Sequence, residues 1–390
     1  MSFRLYNLTE LISSTPKNYD HSVGYHDIRP FNIDNKNLIA LHRYPITSTI
    51  LYKKKLPIID ICLWNFIENS VQKIDETNAW SWEQGARLQW ISKNELIFNK
   101  FYENKLKACI LNIKTNVKLY LDNPTYSIDR NNKKNLFINY SRLWMLWNTY
   151  GYNLGKNVSD IDPKPKDDGV FLSDFKNEKK LLLSIYDAVS LCGLHHINSP
   201  FFIAHPTFSP DGKKIVSLLR FTNNSGALIS YLICTNIMDL KSEIIASERV
   251  SHFEWINNES LIVWSRNINK TFQNMRLNKY MEKYIVSLAK KIIRKFNSKI
   301  QTKILSTHFH LINLNNKKNI KIIDKDVLTV DGHPQISNCG RFLVNDTYPD
   351  INGYQRLMIH DLKKEKTHDV GEFKTANYLS KNNLKYDLHP

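Results

Sequence analysis

Short runs of β-branched, aliphatic and aromatic residues recur along the chain, and polar turn residues separate them. Residues 37–41, 95–98, 108–111 and 136–138 are early examples; residues 214–218, 228–233, 261–264 and 341–344 are later ones. Runs of this length bounded by Asn, Asp, Ser or Gly predict an all-β protein. The runs also share a repeated context, sharpest over residues 205–216. There His205 and Pro206 open a short strand, Ser209, Pro210, Asp211 and Gly212 make a turn, and Ile215 and Val216 lead into the next strand. Pro second and Gly fourth is turn chemistry. Residues 251–262 repeat the layout without the proline, residues 332–343 repeat it again, and weaker copies begin at His26 and Arg87.

His252 follows His205 at roughly the 40–50 residues of one propeller blade. His333 lies nearly two blades further on, and the surplus reads as an insertion. Met281, Ile285, Leu288, Ile292 and Phe296 share one face of a helix over 278–299, with Lys283, Lys290 and Arg294 among the cations on its other faces. Residues 268–303 are therefore expected to form a basic helical insertion within one domain covering residues 1–390. Such a helix can lie weakly on an anionic membrane surface or dock its stripe on the parent fold. Residues 179–192 read as a second helix, and residues 151–169 as a long connection.

Composition narrows the field. Of the residues, 42% are hydrophobic and 12% aromatic, enough for a substantial core. No apolar run reaches the roughly 20 residues that span a bilayer, and the first residues lack the apolar stretch of a secretory leader. The five cysteines are scattered without a CxxC pair, which argues against a disulfide framework and a cysteine zinc site. A soluble, cytoplasmic protein is the expectation. The formal charge of +17 favours polyanionic partners, but much of it is Lys among Asn on turns, as at 131–135 and 315–319. With no P-loop and no GxGxxG fingerprint, nucleotide or nucleic-acid partners are not expected. No GxSxG elbow supports a hydrolase triad.

In a propeller the first strand of every blade lines the central channel, so equivalent positions on different blades approach one axis. His205, His252 and His333 occupy the same place in their repeats, and His389, like His205 and His333, precedes a proline. Neutral imidazoles gathered there could bind a divalent metal or accept a proton; separately, each could merely cap its own turn. Arg220, about a strand beyond His205, could neutralise a carboxylate. Tryptophans such as Trp80, Trp82 and Trp90 could stack on sugar faces or fill the spaces between blades.

The turns resemble those of TolB-type propellers, and the histidine pattern is similar to that of the oligogalacturonate lyases and relatives associated with bacterial surface polysaccharides. The likeness runs through Tyr25-His26-Asp27, residues 79–85, Asp167-Asp168-Gly169, residues 251–255, 329–333 and 345–350, and Gly353-Tyr354-Gln355. It implies a seven-bladed propeller. Because the chain stops at Pro390, the last blade is expected to be incomplete. It also implies that His333 and His389 hold a divalent metal of the manganese type, that His252 is the base, and that His205, Trp82, Gln84 and Tyr348 line the substrate. Asp387 stands where the lyases have the first histidine of His-x-His-Pro. The implied function is action on, or binding of, an acidic bacterial saccharide, with metal-dependent β-elimination of uronates as the enzymatic form. The alternative is a non-catalytic scaffold or glycan-binding module working with polysaccharide-assembly proteins.

Overall fold

The computed structural model describes residues 3–6, 9–16, 19–44, 57–131, 133–155, 161–176, 178–247, 249–266, 307–317, 320–350, 352–374 and 388–389. The helix predicted over 278–299 and the insertion over 268–303 lie outside them. Six antiparallel sheets follow one another along the chain. Strand β1 (Phe3–Leu5) comes first and is used last. Blade 1 is β2 (Asp20–Ser22), β3 (Leu38–Tyr44), β4 (Ile59–Asn65) and β5 (Ser70–Thr77). Blade 2 is β6 (Gln89–Ser92), β7 (Glu95–Tyr102), β8 (Lys105–Asn112) and β9 (Lys118–Leu121). Blade 3 is β10 (Ser127–Asp129), β11 (Lys134–Phe137), β12 (Gly169–Asp174) and β13 (Lys179–Ser184), with helix α1 (Tyr140–Leu146) between its middle strands. Helix α2 (Ile185–Leu191) leads to blade 4, made of β14 (Phe201–Phe208), β15 (Lys214–Thr222), β16 (Leu228–Asn236) and β17 (Ser242–Ala246). Blade 5 is β18 (Phe253–Asn257), β19 (Ser260–Arg266), β20 (Thr307–Asn313) and β21 (Lys321–Ile322). Blade 6 is β22 (Gln335–Ile336), β23 (Phe342–Asp346), β24 (Tyr354–Asp361) and β25 (Lys366–Lys374).

The described residues thus form a six-bladed β-propeller with two short helices, not the seven-bladed one that the resemblance implied. The six inner strands start at Asp20, Gln89, Ser127, Phe201, Phe253 and Gln335, and among the described residues His389 opens no further sheet. Nor is the last blade left short. β1 pairs antiparallel with β25, Phe3 opposite Phe373, making blade 6 a five-stranded sheet whose outer strand comes from the other end of the chain. That pairing covers an edge that would otherwise offer free N–H and C=O groups. Residues 179–184 also depart from expectation. They pair with β12 as a strand, and only Ile185–Leu191 is helical, capped by Ser184, whose Oγ accepts from the Asp187 amide.

The repeated turn seen in sequence is one device used more than once. Gly212, at φ 68°, donates its N–H to the Ser209 carbonyl at 2.8 Å, and Ser209 Oγ accepts from the Lys214 amide at 3.0 Å. Ser337 and Gly340 make the same pair of bonds, at 2.8 and 3.0 Å, the second from Phe342. Between blades, apolar faces meet in local cores. Ile61, Trp80, Trp90 and Phe98 fill the space between blades 1 and 2, and Val216, Leu232, Trp255 and Leu261 that between blades 4 and 5. Each such side chain, fully buried, contributes about 1.5–3 kcal/mol. Among the described residues no helix is long and apolar enough to cross a membrane, which says nothing of strands. The five cysteines are free thiols.

Candidate functional site

Five imidazoles meet on or beside the inner strands of blades 1, 4, 5 and 6. His333 lies 4.6 Å from His252, 4.4 Å from His389 and 5.3 Å from His26, measured between ring centroids. Tyr25 stacks on His205 at 5.0 Å and meets His389 edge-on at the same distance, joining the two sides of the cluster. Chain geometry makes this convergence possible at some local cost. His205 sits at φ 53°, in a register shift between Ala204 and Thr207, and His389 at φ 48°. Non-glycine residues seldom adopt these values, and such strain concentrates at functional sites. The strand feeding His26 is tied across the closing seam: Gln335 donates to the His26 carbonyl at 2.7 Å.

The partners on Nδ1 orient most of the rings. His26 faces the Pro334 carbonyl at 3.1 Å and His389 the Gly24 carbonyl at 2.8 Å. His252 faces Asp331 at 2.9 Å and His333 faces Asp346 at 2.9 Å. Carbonyl and carboxylate oxygens only accept, so these four Nδ1 atoms carry a proton. His205 is held differently. Gln84 donates to the Tyr126 hydroxyl at 2.6 Å, leaving that hydroxyl to donate to His205 Nδ1 at 3.0 Å. Burial pushes His26, His205 and His389 below the ordinary histidine range, His389 to about 3, and the neighbouring cationic forms push the same way. These three rings are therefore neutral at physiological pH.

Arg220 supplies the charge. Its side chain is 3% exposed, its guanidinium carbon lies 4.6 Å from the centre of the Trp147 ring, and Nη2 donates to the Ser251 carbonyl, beside His252. Among the described residues it has no carboxylate partner, and its Nε makes no hydrogen bond. Buried Arg87, by contrast, holds Asp27 through two bonds of 2.8 Å. Desolvation draws the Arg220 guanidinium below its usual range, the tyrosines around it opposing. A buried, unpaired cation is costly, and an anionic ligand would relieve it. Two residues after His252, on β18, burial pushes the Glu254 carboxyl up to about 8, and Arg29 stands 3.7 Å from it.

Of the residues predicted from sequence, His205, His252, His333, His389, Arg220, Gln84 and Tyr348 come together here, Tyr348 lying 5.4 Å from His333. Trp82 does not join the ring. It lines a pocket to one side that shares only His389 with the cluster. Sequence reasoning passed over His26, although its motif had been noticed, and gave no role to Tyr25, Asp331 or Asp346.

The outward hydrogen bonds on Nδ1 are those that metal-binding histidines commonly make. Even so, among the described residues no group of three or more His, Cys, Asp or Glu side chains is placed to hold a metal ion. The expected manganese centre at His333 and His389 therefore lacks a complete donor set, and the chemistry below is not routed through a metal.

No protein-family model and no curated protein matches the chain. Among solved structures it is similar to TolB-like and oligogalacturonate lyase β-propellers. TolB from Acinetobacter baumannii is 9% identical with a TM-score of 0.39, covering 80% of this chain and 59% of that one, so the chain spans well under two thirds of its length. An oligogalacturonate lyase in complex with manganese is 9% identical with a TM-score of 0.41, over 92% of this chain and 95% of that one. The oligogalacturonate lyase of Vibrio parahaemolyticus is 10% identical with a TM-score of 0.40, over 94% and 99%. The propeller fold occurs in lyases and proteases alike, and a shared fold does not fix an activity.

Proposed function

We propose that the channel binds the carboxylate of an acidic saccharide at Arg220 and that His252 removes the proton on the adjoining carbon. The observation that carries this reading is the buried guanidinium of Arg220, without a carboxylate partner among the described residues and bonded to the backbone beside His252. Asp331 holds the His252 ring with its Nε2 lone pair free to act, the arrangement by which a carboxylate orients a general base. A carboxylate on Arg220 makes the carbon-bound proton beside it more acidic. As His252 takes that proton, the C–H electron pair becomes a carbon–carbon double bond, the glycosidic C–O bond breaks, and the departing oxygen collects a proton from water. The neutral neighbours His26, His205 and His389 accept or donate hydrogen bonds to hydroxyl groups without competing for the carboxylate.

Absorbance of the unsaturated product from uronate oligosaccharides, followed with Mn²⁺ and with a chelator, tests this. His252→Ala is expected to slow formation by about a hundredfold or more, with little change in KM. Wild-type rates in that variant would remove His252 from the chemistry. Binding that depends on Arg220 without any product would make the protein a glycan-binding module.

A further inference from the structure

Arg220 is buried yet held by little. One hydrogen bond, from Nη2 to the Ser251 carbonyl at 3.1 Å, fixes it to the backbone, and among the described residues no carboxylate meets it. The Trp147 ring lies 4.6 Å from its guanidinium carbon. We infer that Trp147 is the positioning residue of the anion site: its indole face holds the Arg220 guanidinium where an acid can reach it. The inference rests on the acidic-saccharide reading of the channel and adds to it a residue that touches no sugar.

Three observations carry it. First, the indole has no open face to offer a sugar. Tyr150 stacks on it at 3.6 Å between ring centroids and 23° between planes, and Arg220 lies over the ring, so the two cover it between them. Second, the segment that brings Trp147 here is built to hold it still. Trp147 ends α1, with its N–H on the Leu143 carbonyl at 2.7 Å. The chain then doubles back against the helix at Gly151, where a Cβ would lie 2.1 Å from the Trp144 amide nitrogen, and this close return lays Tyr150 on the indole. Third, the segment is braced to the strand pair that carries Arg220. Arg142 of α1 donates through Nε to the Phe201 carbonyl at 2.6 Å, and Phe201 of β14 pairs with Phe221, the residue after Arg220. A cation over an indole is attracted by the negative face of the ring, more strongly once both have lost water. For a guanidinium as buried as this one, the preference over an apolar side chain is roughly thirtyfold. Blade 3, through its helical insert, thereby sets the aim of a charge on blade 4.

A ligand-free stability cycle and calorimetric titration with digalacturonate test this together. In the cycle, Trp147→Leu is made in wild type and in Arg220→Leu, and urea midpoints are compared. Leucine replaces the arginine because a methionine thioether would make its own contact with the ring. Trp147→Leu is expected to lower the midpoint more in wild type than in Arg220→Leu, since only wild type has a cation to release. In the titration, Trp147→Phe, which keeps a π face, should bind within about threefold of wild type, and Trp147→Leu about tenfold more weakly or worse. Equal midpoint losses in the two backgrounds would make Trp147 a packing residue and overturn the inference. So would wild-type affinity in Trp147→Leu, or equal weakening in the phenylalanine and leucine variants. Should wild type not bind digalacturonate, the acid reading falls, while the cycle still decides whether Trp147 holds Arg220.

Discussion

Acidifying the protein from pH 6.5 towards pH 4 is expected to strip it of stability steeply. His42 and His310 are buried and pushed down to about 4, His389 to about 3, and His26 and His205 lie well below the ordinary value of 6.5. In the unfolded chain all five take up protons as the pH falls below about 6.5. In the folded protein they do not until the pH reaches their depressed values. The unfolded state therefore binds more protons in this window, and stability falls with falling pH. Glu254, raised to about 8, acts in the opposite sense over the same range and offsets about one histidine. His42, His310 and His389 less Glu254 leave a net of about two protons, or roughly 3 kcal/mol per pH unit, and His26 and His205 add to it in the same direction. A domain with a total of about 5–15 kcal/mol cannot absorb this for long, so unfolding near pH 5 is the expected outcome. Urea titrations at pH 7, 6 and 5 check it. A midpoint that stays constant across that range would mean that the imidazoles are solvated or cationic in the folded protein.

The second large effect is expected from Gly332→Ala. A Cβ on Gly332 would lie 1.9 Å from the Asp346 carbonyl oxygen and 2.8 Å from Asn345 Nδ2. The first of these is backbone of β23, which cannot swing aside as a side chain can. Relief requires parting β22 from β23 where the His333 amide and ring both bond Asp346, at 2.7 and 2.9 Å. Overpacking that forces backbone shifts costs about 1–3 kcal/mol, and loss of a buried hydrogen-bonded pair adds about 1–3 more. Thermal unfolding should show a fall of many degrees, and the His333 ring should lose its orientation. Alanine tolerated with an unchanged melting temperature would mean that the inner strand of blade 6 is placed differently.

The all-β class and the gathering of distant histidines were both legible in the sequence, because each depends on a local pattern that repeats. The turn at Ser209–Gly212 and its copy at Ser337–Gly340 kept their chemistry, so the phase of three blades was fixed correctly. The blade count was not legible. The inner strand of blade 3 starts at Ser127, with neither histidine nor the repeated turn to mark it, and the number seven came from resemblance alone. Residues 179–184, rich in Lys and Leu, carry little intrinsic strand signal; pairing with β12 decides them. Asp331 and Asp346 get no role from the sequence because that role comes from which ring they meet across space. Arg220 stands out in sequence only for its charge; the structure shows that this charge is buried with no carboxylate beside it among the described residues.

That uncompensated cation is the hinge of the account, and Arg220→Met examines it most directly through paired measurements of folding stability and of digalacturonate affinity. Replacing a poorly compensated buried charge with an apolar side chain of similar length should raise the stability of the ligand-free protein by about 1–4 kcal/mol. The same change should abolish measurable binding. A variant that is both less stable and still able to bind the acid would contradict the account.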